Sequence, residues 1–151
     1  MIQTSNLNQA RKEIQILKKE NPKQLIIVQA QNNEFNRKIL ENKDVDIITD
    51  LELHDRKDYQ KQRDSGLNEI HCKLAKKNNI KIGINIKNLT KLPPKDKAIV
   101  LSRIIQNIKL CKRTKTNIII YPNTNHPKQD IMSLFTSLGA STTQAKEATK
   151  N

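Results

Sequence analysis

Val45-Asp46-Ile47-Ile48-Thr49-Asp50, then Arg63-Asp64-Ser65-Gly66-Leu67-Asn68, then Cys72-Lys73-Leu74-Ala75-Lys76-Lys77-Asn78 form the stretch whose reading decides the fold. The first piece is a short apolar run and reads as a buried strand. The last reads as a helix over 67–77, with Leu67, Ile70, Leu74 and Ala75 at the three-four spacing of one apolar stripe. Between them runs a loop holding Arg56, Lys57, Lys61 and Arg63. Ser65 is placed to cap the helix, and Gly66 permits a tight turn into it. Parallel α/β sheets put their ligands beyond the carboxyl ends of strands. A site is therefore expected at this loop, and its charge suits phosphates.

The same alternation continues on both sides. A helix through Ala10, Ile14 and Leu17 precedes a strand over Leu25 to Gln29, a short helix from Glu34 to Leu40, and the strand at Val45 to Thr49. After the helix comes a strand over Ile80 to Ile86. Pro93-Pro94 then sit where a helix starts, and that helix carries the stripe Ala98, Leu101, Ile105 and Ile108, flanked by Ile104 and Cys111. A last strand over Asn117 to Tyr121 is followed by two short helices separated by Gly139. Strands that alternate with crossover helices run parallel, so the class is α/β. At 151 residues the chain reads as a single domain spanning 1–151, able to bury a core without a covalent staple.

Composition removes several functions. The apolar runs fall well short of the roughly 20 residues of a membrane span, and Met1-Ile2-Gln3-Thr4 carries no signal-peptide pattern, so a cytoplasmic protein is expected. The two cysteines, Cys72 and Cys111, sit on predicted helices without metal spacing and read as reduced core thiols. No Gly-rich phosphate loop, Ser-His-Asp spacing or Cys-x-x-Cys is present. The best constellation for a metal is Asp46, Asp50, Glu52, His54 and Asp55 near one strand end. It reads as a polar loop balancing neighbouring arginines, and His71, beside an apolar stripe, reads as structural. Neither a catalytic residue nor a metal ligand is expected in this chain.

The net charge is +13, and its position says more than its size. Lysine, asparagine and isoleucine all abound here, as an AT-rich genome would make them. Yet residues 76–115 hold twelve Lys or Arg against Asp96 alone, a net of +11, so the rest of the chain contributes only +2. A concentrated field attracts polyanions, RNA first among them, whereas drift in composition would spread it. With Phe35, Tyr59, Tyr121 and Phe135 as the only aromatics, a platform stacking several bases is not expected. Phosphate recognition is. Six arginines stand among twenty-two lysines, and three of them, Arg37, Arg56 and Arg63, follow strands. Their planar forks suit phosphate oxygens, with Lys57, Lys61 and Lys73 as lesser candidates. The competing reading makes them weak surface ion pairs, Arg63 with Asp64 or Asp58 and Arg56 with Asp55.

The Arg-Asp-Ser-Gly-Leu-Asn run entering a Lys-Leu-Ala helix, with Asn36-Arg37 after the first strand and Lys81-Ile82-Gly83-Ile84 after the helix, resembles the third protein component of archaeal ribonuclease P. That family is related to the thirty-kilodalton protein of the eukaryal enzyme. The likeness runs from about Leu25 to about Tyr121. It implies a TIM-barrel-like fold, here shortened to about half a barrel, because the family's opening strand with its His-x-His pair has no counterpart and His54, His71 and His126 stand singly. It implies a subunit that supports the catalytic RNA in removing 5′ leaders from precursor tRNA. The implied partners are ribonuclease P RNA, precursor tRNA and protein component 2, with a homodimer or heterotetramer as the assembly. Mg²⁺ would serve the RNA, and no cofactor is implied for the chain itself. Half a barrel also leaves two strand edges, Leu25 to Gln29 and Asn117 to Tyr121, that terminal helices, a second copy or a partner must cover. A free-standing metal-dependent phosphoesterase of the barrel superfamily and a general RNA-binding module are the alternatives.

Overall fold

A computed structural model describes residues 1–122 and 124–150. Its elements follow one another as α1 (Leu7–Glu20), β1 (Ile27–Gln29), α2 (Asn33–Leu40), β2 (Ile47–Thr49), α3 (Glu69–Lys77), β3 (Lys81–Ile84), α4 (Ile86–Lys91), α5 (Pro94–Thr114), β4 (Ile118–Ile120), α6 (Lys128–Ser137) and α7 (Thr142–Ala148). The four strands pair in sequence order, all parallel, with Ile27 opposite Ile47, Ile48 opposite Ile82 and Gly83 opposite Ile119. Right-handed crossovers between neighbours laid down in one direction put every helix on the same side of the sheet. The packing agrees. Val28, Ile48, Ile82, Ile84, Ile118 and Ile120 join one core with buried residues of all seven helices. Ile27, Ile47 and Ile119 form a second, smaller cluster on the opposite face with Tyr121. The result is a wall of parallel strands backed by helices, an unclosed segment of a barrel.

Local chemistry explains where the helices begin. Asn6, Asn32, Asn68 and Asn85 each turn a side-chain oxygen onto a first-turn N–H of α1, α2, α3 and α4. Such caps satisfy donors the helix itself cannot. Pro94 opens α5 from its first position, where the missing N–H costs nothing, and Ser141 and Gln144 close a capping box on α7.

Four expectations need correction. The cap of α3 is Asn68, not Ser65: Asn68 Oδ1 accepts the His71 N–H at 2.8 Å, while buried Ser65 donates its hydroxyl to the Leu67 carbonyl at 3.3 Å. Leu67 therefore precedes the helix, and α3 starts at Glu69. Second, α3 buries His71, Cys72 and Ala75 and leaves Ile70 61% exposed, because the small Cys72 and Ala75 side chains allow close packing on α2 and α5. Third, β3 stops at Ile84, and Asn85 caps a short helix, α4, where a continuing strand was expected. Fourth, the buried face of α5 is Val100, Arg103, Ile104, Asn107, Ile108 and Cys111, while Ala98 is exposed.

Each sheet edge meets another part of the chain. Ile2 adds a parallel bridge beside Val28, donating its N–H to the Ile27 carbonyl at 2.8 Å and accepting from the Gln29 N–H at 2.9 Å. At the other edge α7 packs against β4. No helix among the described residues is long and apolar enough to cross a membrane.

Candidate nucleic-acid interface

Loop 50–66 leaves the carboxyl end of β2, and both of its ends are set by backbone conformations that ordinary residues avoid. Asp50 has φ +62° and Gly66 φ +74°. At Gly66 a Cβ would lie 1.9 Å from the Leu51 carbonyl oxygen, so only glycine fits. Asp50 is held by Gln29 Nε2 at 3.0 Å and Asn88 Nδ2 at 3.3 Å, which tie the ends of β1, β2 and α4 together. Burial raises its pKa.

A single buried cation organises the loop's interior. Arg103, 6% exposed on α5, donates from Nη1 to the carbonyls of Glu52 at 3.0 Å and His54 at 2.8 Å, from Nη2 to that of Arg56 at 3.0 Å, and from Nε to Asp58 Oδ1 at 3.3 Å. The planar fork converts three main-chain oxygens and a carboxylate into one rigid turn. Glu52, beside it, keeps its carboxyl out of this set. Burial pushes its pKa up to about 8, so it is protonated at neutral pH, and its Oε2 has no hydrogen-bond partner among the described residues.

The outer layer is a chain of ion pairs. Arg56 grips Asp64 through Nε at 2.8 Å and Nη2 at 3.3 Å, and Arg63 Nη1 meets Asp58 Oδ2 at 2.7 Å, so Asp58 bridges Arg63 and Arg103. Burial opposes the ionisation of Asp58, but Arg63, the Asp64 N–H and Arg103 outweigh it and hold the pKa below the ordinary carboxylate value. The same balance, struck by Arg56 and the Gly66 N–H, keeps Asp64 ionised. His54 staples the two halves of the loop: Nδ1 accepts the Arg56 N–H at 3.2 Å, which makes Nε2 the donor to the Asp64 carbonyl at 2.7 Å. Burial first, then Arg103 and Arg56, lowers its pKa and keeps it neutral.

The structure brings most of the sequence-predicted cations to one side of the molecule, in different states. Arg56 and Arg63 are engaged by carboxylates, Arg63 with Asp58 as one reading had it and Arg56 with Asp64 instead of Asp55. Lys57 and Lys61 are exposed and form no ion pair among the described residues. Arg37 lies on the exposed side of α2, paired with Glu41 at 3.2 Å, and its charge, with that of Arg56, adds to burial in lowering the pKa of His71. Lys73 shares Glu69 with Arg113, each at 3.0 Å. The loop borders a groove of 690 Å³ whose walls include Arg56, Lys57, Lys91 and Arg103.

Arg103 escaped the sequence reading because an arginine inside a lysine-rich helix looks like surface. The available signal was the spacing of Val100, Ile104, Ile108 and Cys111, which places Arg103 and Asn107 on the same face. The basic segment 76–115 also divides in space. Lys76, Lys77, Lys112 and Lys115 lie where α3 and α5 end and β3 and β4 begin, at the opposite end of the sheet from loop 50–66, while Lys87, Lys91 and Lys95 lie on α4 and at the start of α5. The residues of the metal constellation are engaged separately: Asp46 accepts the Ile26 N–H at 2.8 Å and pairs with Lys18, Asp50 holds amides, and His54 holds backbone. No group of three or more potential ligands gathers among the described residues.

Comparison with known proteins puts this loop in context. The family described as RNase P subunit p30 matches residues 1–151, the whole chain. The chain belongs to the RNase P subunit p30 family. A protein of Methanococcus maripaludis strain C7, named ribonuclease P protein component 3, is 31% identical over 119 residues, which is 79% of this chain and 47% of the relative. The protein of the same name from Methanococcus vannielii is 29% identical over 110 residues, 73% of this chain and 45% of its own length. The chain thus spans about half the length of the curated relatives it matches. Among solved structures, a chain from a cryo-EM structure of archaeal ribonuclease P with mature tRNA superposes with a TM-score of 0.78 at 24% identity, covering 97% of this p30-family chain and 62% of the other. The shared fold is thereby established over nearly the whole of this chain.

Proposed function

We propose that this p30-family chain is a protein subunit of ribonuclease P that binds and supports the catalytic RNA during removal of 5′ leaders from precursor tRNA. The observation that carries the reading is the match of the family to the whole chain, together with a stapled loop at the carboxyl end of the sheet that carries Arg56, Lys57, Lys61 and Arg63. The chemistry asked of the protein is charge neutralisation and positioning. RNA strands that fold against each other, or against a substrate, repel, and cations fixed along a surface lower that repulsion. Arg37, Arg56, Lys57, Lys61, Arg63 and Lys73 supply those cations. Ribonuclease P protein component 2 is the protein partner in this reading, within a heterotetramer or around a homodimer, in the cytoplasm. Mg²⁺ serves the RNA's chemistry and is not held by this chain.

Reconstitution tests the proposal. Ribonuclease P RNA and component 2 are assayed for cleavage of precursor tRNA at moderate Mg²⁺, with and without this chain. Stimulation of cleavage is the expected result. Binding to unrelated structured RNAs with equal affinity, and no stimulation, would make the chain a general RNA-binding module instead.

A further inference from the structure

A cleft of 280 Å³ opens between loop 50–66, the starts of α2 and α3 and the middle of α5. Its size falls just below the roughly 300 Å³ at which clefts begin to enclose drug-sized molecules, and is suited to one planar ring. Its lining is unusual for this chain. Tyr59, one of only two tyrosines, stands here 59% exposed, on a turn fixed by an antiparallel bridge between Tyr59 and Gln62. The side-chain amides of Asn33, Gln62 and Gln106 line the same cleft and make no hydrogen bond among the described residues. Asn68 commits its oxygen to the His71 N–H and keeps its nitrogen available. Arg63 stands at the cleft as well, oriented by Asp58.

An exposed aromatic ring, amides that can both donate and accept, and an oriented guanidinium are together the groups that hold a nucleotide. The ring stacks on the base, amides meet the hydrogen-bonding edges, and the guanidinium meets a phosphate. In a duplex both faces of a base are covered by its neighbours, so the cleft selects a base that has left the stack. We propose that this cleft receives one unpaired base of the bound RNA, stacked on Tyr59 and met at its edge by Asn33, Gln62 and Gln106, with its phosphate at Arg63. The inference rests on the RNA-binding reading above and adds to it a contact with a base, where the loop's lysines contact only backbone.

The chain has no tryptophan, so tyrosine emission reports the cleft directly once Tyr121, just past β4 in the smaller apolar cluster, is replaced by phenylalanine. In the Tyr121→Phe protein Tyr59 is the sole tyrosine, and stacking on a base quenches its emission. Titration with single-stranded oligonucleotides and with a duplex of the same length should quench Tyr59 with the single strand and leave it unchanged with the duplex, although both bind. Tyr59→Ala should weaken single-strand binding roughly ten-fold and spare duplex binding, while Tyr59→Phe restores most of the loss. Equal quenching by both RNAs, or a Tyr59→Ala protein that binds single strands at full affinity, would overturn the base contact and leave backbone binding standing. Failure to bind either RNA would remove the RNA reading and this inference with it.

Discussion

Arg103 and His54, 49 residues apart in sequence, are joined by a 2.8 Å hydrogen bond from the guanidinium to the main-chain carbonyl oxygen. The bond fixes the course of a loop with no strand or helix of its own between Asp50 and Asn68. Arg103→Ala would strand three carbonyls and leave Asp58 with one cation. Leaving acceptors of this kind unsatisfied inside the protein costs about 1 to 3 kcal/mol each. A urea titration should show that loss, and Arg103→Lys, which lacks the fork, should recover only a minor part of it.

Arg63→Ala separates binding from folding. Its side chain is 48% exposed and its pair with Asp58 is a surface pair, so stability should change by less than about 1 kcal/mol. RNA affinity should fall by about 1 to 3 kcal/mol if the guanidinium meets a phosphate. An Arg63→Ala protein that unfolds yet binds normally per folded molecule would reassign the residue to structure.

Gly66→Val is the contrasting substitution. It forces a branched side chain into φ +74° with its Cβ against the Leu51 carbonyl. Strain alone is worth about 1 to 3 kcal/mol, and the backbone contact adds to it. Circular dichroism on heating should show a melting temperature lowered by many degrees or no cooperative transition.

Stability should respond to pH through three groups whose pKa values burial shifts. Glu52 has its pKa raised from 4.5 to about 8, so it stabilises fully below 4.5 and loses that contribution as pH rises to about 8. Glu52→Gln removes the loss, and the variant should exceed the parent by about 3 kcal/mol at pH 7, with the gap widening up to about pH 8. His54 and His71 act oppositely. Their folded pKa values lie below 6.5, so the stability they contribute above that value is lost as pH falls through their folded values. Urea midpoints measured across the range for both proteins would test both signs.

RNA binding should weaken steeply with salt. If roughly five phosphates are contacted, affinity should fall on the order of 100- to 1000-fold between about 50 and 200 mM monovalent salt. Filter binding across that range measures the slope, and a flat profile would remove the loop's lysines from the account.

The strands were legible because Ile27-Val28, Ile47-Ile48 and Ile118 to Ile120 are apolar runs too short for helices, and their order followed from the helices between them. Helix starts were less so. Ser65 and Asn68 both carry capping groups, and only the burial of Ser65 under the loop decides between them. Ile70 and Ala98 have the composition of a core but face water, while Arg103 and Asn107 have the composition of a surface but are buried. Hydrophobic spacing reads the apolar half of an interface. A polar loop that must be held from beneath reverses the pattern on the helix that holds it, and its demand for donors comes from residues some 50 positions away.

The carboxylate that already sits on Arg63 changes what an arriving anion does there. In the proposed RNA contact Lys57 and Lys61 would gain a new neighbour as a phosphate approached, but Arg63 would divide its donors between that phosphate and Asp58, 2.7 Å away. Association at this residue is an exchange reaction. Asp58 stays tethered to Arg103 whichever way the exchange goes, so it stands ready as an internal competitor at fixed local concentration. An anion that offers one oxygen from one direction gains little over the incumbent, while one whose geometry lets both acids share the fork is retained.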